Sequence, residues 1–331
     1  MHSDLWVITT FFNPVGYNTK RRNFETFMTG MREAGANVLV IELAFGDQPF
    51  ELDLADNIVR LRGAGVMWQR ERLLNIAAAK LPDSCRKVAW IDADVLFETA
   101  DWPRLTSEAL NEHVVVQLFS HGIRLNRDNR EDETTAPEES FASCFVRNPA
   151  LSGSASFHTH GHTGYAWAAR RELFEQCGVY DACLTGSNDH LMAHVFAGAS
   201  MNTPCIANTI GPSQPYADHF VRWARQAARL VRRRLGVVPG TIRHLWHGDL
   251  VDRRYWILDQ QFKSMGFDPD AHVRLDENGL FDWADAPPLM KSWASRLFET
   301  RNEDGKALVA EEASRVAHAG RSRVIIAKRR A

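Results

Sequence analysis

The sequence predicts an α/β fold in which helices flank a mostly parallel central sheet. Two observations support this prediction. Apolar runs alternate with segments of helical spacing over the first 120 residues, and these runs lack the polar alternation of a solvent-facing strand. A chain of 331 residues is long enough for one large domain or two modest ones. Ligands of such sheets bind beyond the carboxyl ends of the strands, so we expect the functional residues there.

Each predicted element follows from a local pattern. The predicted strands are Leu5 to Phe12, Val38 to Leu43, Ile58 to Leu61, Lys87 to Ile91 and Val114 to Phe119. A first helix carries Phe24, Phe27 and Met31, with Asn18 or Thr19 as its N-cap and Gly35 as its stop. Further helices are predicted over 68–80, 170–177, 189–197 (with Ser187 or Asn188 as cap) and 220–235, and a solvated acidic loop over 126–139.

Composition excludes several classes of protein. There are 39 basic and 41 acidic side chains, a net charge of −2, which argues against a globally basic nucleic-acid binder. No apolar run reaches the roughly 18 residues of a membrane span, and the start does not resemble a secretory signal. Five cysteines without CxxC pairing indicate neither a disulfide framework nor a thiolate zinc site. We therefore expect a soluble, cytoplasmic protein.

Two aspartates follow the predicted strand Lys87 to Ile91 directly. Asp92 and Asp94 are two residues apart, so the backbone delivers both carboxylates to the same side of the sheet edge. Mg²⁺ and Mn²⁺ prefer oxygen ligands and bridge readily to diphosphate oxygens. The pair therefore predicts a divalent cation site, although Asp-x-Asp also arises by chance.

Three further segments accompany this pair. Trp68 to Asn75 precedes it, and Gly161 to Ala168 and Ser187-Asn188-Asp189 follow it. In this order, the segments resemble the GT-A glycosyltransferases, specifically the β-1,4-galactosyltransferase group and its bacterial and viral relatives. The resemblance covers roughly Leu5 to Tyr255. It implies the GT-A (nucleotide-diphospho-sugar transferase) fold, a nucleotide-sugar donor with UDP as the expected nucleotide, and Mn²⁺ or Mg²⁺ as the cofactor.

The resemblance also assigns the donor side of the site. It implies that Trp68 and Arg70 contact the nucleotide and places Asn75 in the same motif. It implies that Asp94 is the direct metal ligand and that Asp92 reaches the sugar or ribose. The alternative for Trp68 to Asn75 is a plain amphipathic helix, because leucines at helical spacing need no cofactor.

On the acceptor side, the family's Gly-Gly segment falls loosely on Gly161 and Gly164, where a missing Cβ allows close approach of substrate. Its Gly-Glu-Asp run falls on Ser187, Asn188 and Asp189, which implies that Asp189 is the general base. At the first turn of a helix, we expect the dipole to keep Asp189 ionised. The alternative is a simple helix cap. Because Asn188 replaces the family's acidic acceptor-binding residue, the resemblance does not identify the acceptor.

Histidines supply the remaining candidate ligands. The resemblance implies a further metal ligand after the base, and His247 is favoured narrowly over His244. A competing zinc site is conceivable at His158, His160 and His162, which share a face if that segment is an extended strand, but no fourth ligand is evident. We interpret that segment as a loop beside the sugar site.

Together these features predict a metal-dependent glycosyltransferase that transfers a sugar to an acceptor hydroxyl with inversion, the acceptor being a glycan, lipid, protein, small molecule or modified nucleic acid. The alternatives are a nucleotidyltransferase of similar fold and a non-catalytic carbohydrate- or nucleic-acid-binding protein. We expect a GT-A domain over 1–285, with a nucleotide-binding half (1–125) and an acceptor and metal half (140–260), then a helical extension and basic tail over 286–331. The arginines between Arg222 and Arg234 indicate a solvated helix face rather than a membrane or nucleic-acid contact.

Overall fold

The computed structural model describes residues 4–132, 134–253 and 255–306. Its strands are β1 (Leu5–Phe12), β2 (Asn37–Phe45), β3 (Ile58–Gly63), β4 (Lys87–Ile91), β5 (Val95–Phe97), β6 (Val115–Gln117), β7 (His121–Arg124), β8 (Glu138–Glu139), β9 (Ala166–Arg170), β10 (Leu235–Val237), β11 (Thr241–His244), β12 (Val273–Leu275) and β13 (Phe281–Trp283).

The helices are α1 (Asn18–Glu33), α2 (Arg70–Ala79), α3 (Trp102–Glu112), α4 (Phe141–Arg147), α5 (Phe157–His160), α6 (Arg171–Gln176), α7 (Asn188–Phe196), α8 (Pro204–Ile210), α9 (Gln214–Val231), α10 (Tyr255–Lys263), α11 (Pro269–His272) and α12 (Pro288–Glu299), with a 3₁₀ turn at Pro149–Gly153. Within the described ranges, no helix is both long and apolar enough to cross a bilayer. Of the helical extension and basic tail predicted over 286–331, residues 307–331 lie outside the described residues.

The central sheet has seven strands in the order β10-β6-β9-β4-β1-β2-β3. All neighbouring pairs are parallel except the two that involve β9. Alternate residues of β1 enter different clusters, with Ile8 and Phe12 on one face and Val7 and Phe11 on the other, and all four are buried. The prediction of a mostly parallel sheet covered by helices on both faces is therefore confirmed.

A smaller sheet, in the order β5-β11-β7-β8, lies at the end of β4. It determines which side chains meet. β5 follows Asp94 directly, and antiparallel pairing with β11 places His244 opposite Val95. The backbone N–H of Leu245 then donates to the carbonyl of Asp94 at 2.8 Å. The distant β11 segment is thereby fixed beside the aspartates.

Some local predictions were wrong. Tyr17, not Asn18 or Thr19, is the N-cap residue of α1, and its side chain makes no capping hydrogen bond. The first-turn N–H groups of Asn18 and Thr19 donate to the carboxylate of Asp304, at 3.3 and 2.9 Å. Because the capping carboxylate lies far away in the sequence, no local pattern could have predicted it. His158 and His160 lie in the short helix α5, neither in the loop that we predicted nor on the extended strand of the zinc alternative.

The arginine-rich helix α9 begins earlier than predicted, because the Ser213 hydroxyl caps it by accepting from the N–H of Tyr216. It ends at Val231, where Arg232 adopts a left-handed conformation with φ 49°. Its apolar face packs into the core, whereas Arg222 is exposed and pairs with Asp270 at 2.6 Å. This is the arrangement expected for a solvated helix face.

Candidate functional site

A cavity of about 630 Å³ opens at the carboxyl ends of β1 and β4. Thr10 to Phe12 line it from the end of β1, and Asp92 to Asp94 line it from the turn after β4. Asp189, at the start of α7, lines the same cavity. The two predicted aspartate positions, far apart in sequence, therefore share one cleft, at the edge of the sheet where ligands of α/β folds bind.

Asp94, His244 and His247 form a compact cluster whose ligand atoms all lie within 4.8 Å of one another. Nε2 of His244 is 3.6 Å from Oδ1 of Asp94, and Nε2 of His247 is 3.5 Å from Oδ2. The two Nε2 atoms are 3.1 Å apart. Oδ1 of Asp94 is buried without a hydrogen-bond partner among the described residues, as expected for an atom that faces a cation site.

The charge states of this cluster suit a cation. Burial, and then the nearby charge of Asp92, raise the pKa of Asp94 to about 7, because nothing in the cluster fully offsets a negative charge there. Burial, and then Arg253, lower the pKa of His247 to about 3, and burial also lowers that of His244. The imidazoles are therefore neutral and carry lone pairs that can coordinate a metal. At His247 a cation would take the place of the Arg253 guanidinium, whose Nη2 lies 2.7 Å from Nε2. One carboxylate and two imidazoles fit Mn²⁺ with coordination positions to spare.

Residues near the C-terminal end of the described chain complete the cluster, and sequence reasoning missed them. Oε1 of the buried Glu303 lies 3.7 Å from Nδ1 of His247, and Nε of Arg301 donates to it at 2.6 Å. Burial opposes ionisation of Glu303, but the charges of Lys20 and Arg301 hold its pKa well below the usual value. A carboxylate behind the imidazole favours presentation of Nε2 toward Asp94.

Trp68 and Arg70, which were predicted to contact the nucleotide, lie next to Asp92. Arg70 forms an ion pair with Asp92, and its Nη1 donates to Glu71 at 2.8 Å. The Trp68 indole donates to Glu71 at 3.2 Å and stacks on Phe298 with an interplanar angle of 16°. Trp68 and Arg70 both line the cavity, so an indole ring and a guanidinium border the space in which we expect the nucleotide.

Asp189 lies at the first turn of α7, where its Oδ1 accepts from the N–H of His190 at 2.8 Å. Burial, and then the charges of Asp92 and Glu71, raise the pKa of Asp189 to about 7. The helix dipole favours the ionised carboxylate, as expected, but the raised pKa leaves part of it protonated at neutral pH. The dipole at an exposed helix end is worth less than desolvation combined with two nearby carboxylates.

Two glycines allow close approach in the cavity wall. A Cβ on Gly164 would lie 2.5 Å from Oδ2 of Asp189, and a Cβ on Gly186, which has a φ of +82°, would lie 3.2 Å from the Trp68 ring. Gly164 therefore admits the Asp189 carboxylate, whereas the family resemblance had suggested a role in approach of substrate to the backbone.

Three predicted site residues do not line the cavity. The Asn75 side chain bonds both backbone groups of Val179, at 2.9 Å each. Asn188 is fully buried and donates to the carbonyl of Tyr180 at 2.9 Å. Gly161 has a φ of +80° and lies where a Cβ would meet the Ser140 carbonyl at 2.6 Å. In this arrangement all three serve local structure, and we assign them no substrate contact.

No family model matches the chain, and no curated protein matches it. The solved structures that resemble it include glycosyltransferases and nucleotidyltransferases. The catalytic domain of Drosophila β1,4-galactosyltransferase 7 in complex with xylobiose is 13% identical, with a TM-score of 0.36 over 88% of this chain and 98% of that one.

A variant of the same Drosophila enzyme, in complex with manganese, UDP-Gal and xylobiose, is 10% identical with a TM-score of 0.35 and the same coverage. The 4-diphosphocytidyl-2C-methyl-D-erythritol synthase of Anaerococcus prevotii is 12% identical, with a TM-score of 0.35 over 72% of this chain and 90% of that one. Similarity at this level carries no argument about the fold or the reaction.

Proposed function

We propose that the protein is a divalent-metal-dependent glycosyltransferase that moves a sugar from a nucleotide-diphosphate sugar to an acceptor hydroxyl. The observation that carries this proposal is that the cluster of Asp94, His244 and His247 and the carboxylate of Asp189 line one cavity at the carboxyl edge of the sheet. A cation site and a separate proton acceptor are the two groups that a direct displacement requires.

The donor side is formed by residues on both sides of Asp92. Asp94, His244 and His247 would hold Mn²⁺ or Mg²⁺. The positive charge of the cation would offset the negative charge that develops on the leaving diphosphate. Trp68 borders the space for the nucleotide base, and we expect the donor to be a UDP-linked sugar. Arg70 is held in place by Asp92 and Glu71, so its guanidinium is oriented before the donor arrives.

On the acceptor side, Asp189 takes the proton. The acceptor oxygen attacks the anomeric carbon, the bond from that carbon to the diphosphate oxygen breaks, and the hydroxyl proton passes to the Asp189 carboxylate. Attack opposite the leaving group inverts the anomeric centre. A base with a pKa of about 7 is well matched to this role at neutral pH, because it is both substantially ionised and basic enough to accept the proton.

The direct test screens nucleotide sugars, UDP-sugars first, with and without Mn²⁺. Stabilisation of the protein by a donor that requires Mn²⁺, followed by release of nucleoside diphosphate with an acceptor panel, supports the proposal. Release of pyrophosphate from a nucleoside triphosphate and a sugar phosphate would instead identify a nucleotidyltransferase. Failure of every donor to bind or react would favour a non-catalytic binding protein.

A pair of variants tests the assigned base. Asp189→Asn should lower the turnover number by about 10²- to 10⁴-fold while donor affinity changes little, because the amide cannot accept the proton. Asp83→Asn, an exposed carboxylate between α2 and β4, is the matched control and should leave both quantities unchanged. Undiminished turnover of Asp189→Asn would remove Asp189 from this role.

A further inference from the structure

A second cluster of potential metal ligands lies outside the one formed by Asp94. His160, His190, His194 and Cys205 are all buried, and each brings one ligand atom to within 4.8 Å of the others. They come from three short elements, with His160 on α5, His190 and His194 one turn apart on α7, and Cys205 on α8. Four ligands from different parts of the chain thus converge on one point.

Three atoms of this cluster lack the partners that buried polar atoms normally have. Nε2 of His160, Nδ1 of His190 and Nε2 of His194 are buried and have no hydrogen-bond partner in the described parts of the chain. A buried nitrogen without a partner costs free energy, and three in one place are exceptional in a folded protein. A cation bound between them would satisfy all three at once.

The hydrogen bonds behind the imidazoles define which nitrogen is free. Nδ1 of His160 lies 2.8 Å from the carbonyl of Gly161, and Nδ1 of His194 lies 2.8 Å from that of Ser152. A carbonyl only accepts, so Nδ1 carries the proton in both rings and Nε2 presents its lone pair to the cluster. A backbone carbonyl behind the ring is the support that metal-bound histidines usually have. Burial also lowers the pKa of all three histidines, which keeps them neutral.

We propose that His160, His190, His194 and Cys205 bind Zn²⁺ in a closed, four-coordinate structural site. Thiolate and imidazole ligands favour zinc over the Mn²⁺ or Mg²⁺ expected at Asp94. With Zn–N and Zn–S bonds of the usual lengths, the ligand atoms of a tetrahedral site with three imidazoles and one thiolate lie about 3.3 to 3.6 Å apart. The ligand atoms all lie within 4.8 Å of one another, so no pair needs to approach by more than about 1.5 Å.

Binding has one defined chemical step. The Cys205 thiol, which now donates to the carbonyl of Ser154 at 2.8 Å, loses its proton to solvent, and the sulfur forms the fourth bond to zinc. The zinc alternative from the sequence included His160 but combined it with His158 and His162, which are not part of the site proposed here. His158 is exposed, and His162 stacks on Tyr165 with a ring distance of 3.9 Å.

The position of the site gives it a structural consequence. Zinc would tie α5 and α8 to α7, the helix that begins at Asn188 and presents Asp189 to the cavity. His190 directly follows Asp189, so the metal would fix the first turn of that helix. The zinc proposal itself does not depend on the proposed glycosyl transfer, and its test measures metal rather than activity.

The test uses the full-length protein, purified without added metal and dialysed, with metal content measured by mass spectrometry. We expect one zinc per chain. Replacement by Co²⁺ should give intense visible bands of a tetrahedral site and a near-ultraviolet thiolate-to-cobalt band. Absence of stoichiometric zinc together with a cobalt spectrum that lacks the thiolate band would overturn the proposal, and neither measurement needs a variant.

Matched variants then assign the ligands. Cys205→Ser should abolish the thiolate band, whereas Cys144→Ser, at another buried cysteine outside the cluster, should retain it. His194→Ala should weaken zinc binding, whereas His158→Ala should not. Asp94→Asn should leave zinc content unchanged, which separates this site from the manganese site. Persistence of the thiolate band in Cys205→Ser would refute the ligand assignment.

Discussion

Gly164 lies closer to the Asp189 carboxylate than a residue with a Cβ could. Its backbone is not in the left-handed region, so Gly164→Ala introduces no strain in the main chain. The new Cβ would lie 2.5 Å from Oδ2 of Asp189 and 3.0 Å from Cε1 of His162. The carboxylate is the end of a flexible side chain and will move before the backbone does.

The size of the effect follows from these distances. Ordinary van der Waals contact begins at 3.4 Å, so the carboxylate must move by about 0.9 Å. A displacement of about 1 Å of a catalytic group can reduce turnover by about 100-fold. An off-rotamer side chain costs about 1 kcal/mol, and the lower entropy of the unfolded Ala chain offsets much of this, so we expect the melting temperature to stay near that of the wild type.

The assay compares turnover number, donor affinity and melting temperature for wild type, Gly164→Ala and the control Gly30→Ala. Gly30 lies within α1, and its added Cβ would make only an ordinary contact, 3.6 Å from Leu96. We expect a loss of about 100-fold in turnover for Gly164→Ala alone, with donor affinity preserved. Turnover within twofold of wild type would show that the position of the Asp189 carboxylate does not limit the reaction.

Three further outcomes are expected. Asp94→Asn should reduce Mn²⁺-dependent donor affinity about tenfold or more by calorimetry, since it removes the carboxylate ligand that accompanies His244 and His247. Equal affinity would exclude Asp94 as a ligand. Turnover should rise with pH through about 7 and then level off, because Asp189 has a raised pKa and acts as a base only when it is deprotonated. A turnover that falls over this pH range would contradict that role. Asn75→Ala should lower the free energy of unfolding by about 1 to 3 kcal/mol in urea titrations without changing donor affinity, because it removes two bonds to Val179, and a selective loss of affinity would restore its sequence-predicted role.

The parts of the fold that could be predicted were those with a local pattern. β1 and β4 have the predicted bounds because long apolar runs identify a strand buried on both faces. The antiparallel strand β9 could not be predicted, since five residues rich in alanine carry no period and their position between β4 and β6 depends on distant pairing. The sequence also places Asp94 directly after a strand, but it does not show that His244 and His247 lie beside it, because this depends on the pairing of β5 with β11.

The site was predictable to a similar degree. Motifs identified the residues Arg70, Asp94 and Asp189, which the structure brings to one cavity. The partnership of Glu303 with His247 had no sequence signal, because it depends on how the C-terminal segment returns to the sheet edge. Cys205 was missed as a possible metal ligand for the same reason, since α8 itself was not predicted.

Asp92 connects the two halves of the proposed mechanism. It pairs with Arg70 on the nucleotide side, and its charge raises the pKa of both Asp94 and Asp189. Each of those carboxylates must lose a proton to act, one as a ligand and the other as a base, and both have a pKa of about 7. A positive charge bound at Asp94 favours deprotonation of every carboxylate near it. In the proposed mechanism, donor binding with its cation would therefore favour deprotonation of the base, because the charge of Asp92 acts on both carboxylates.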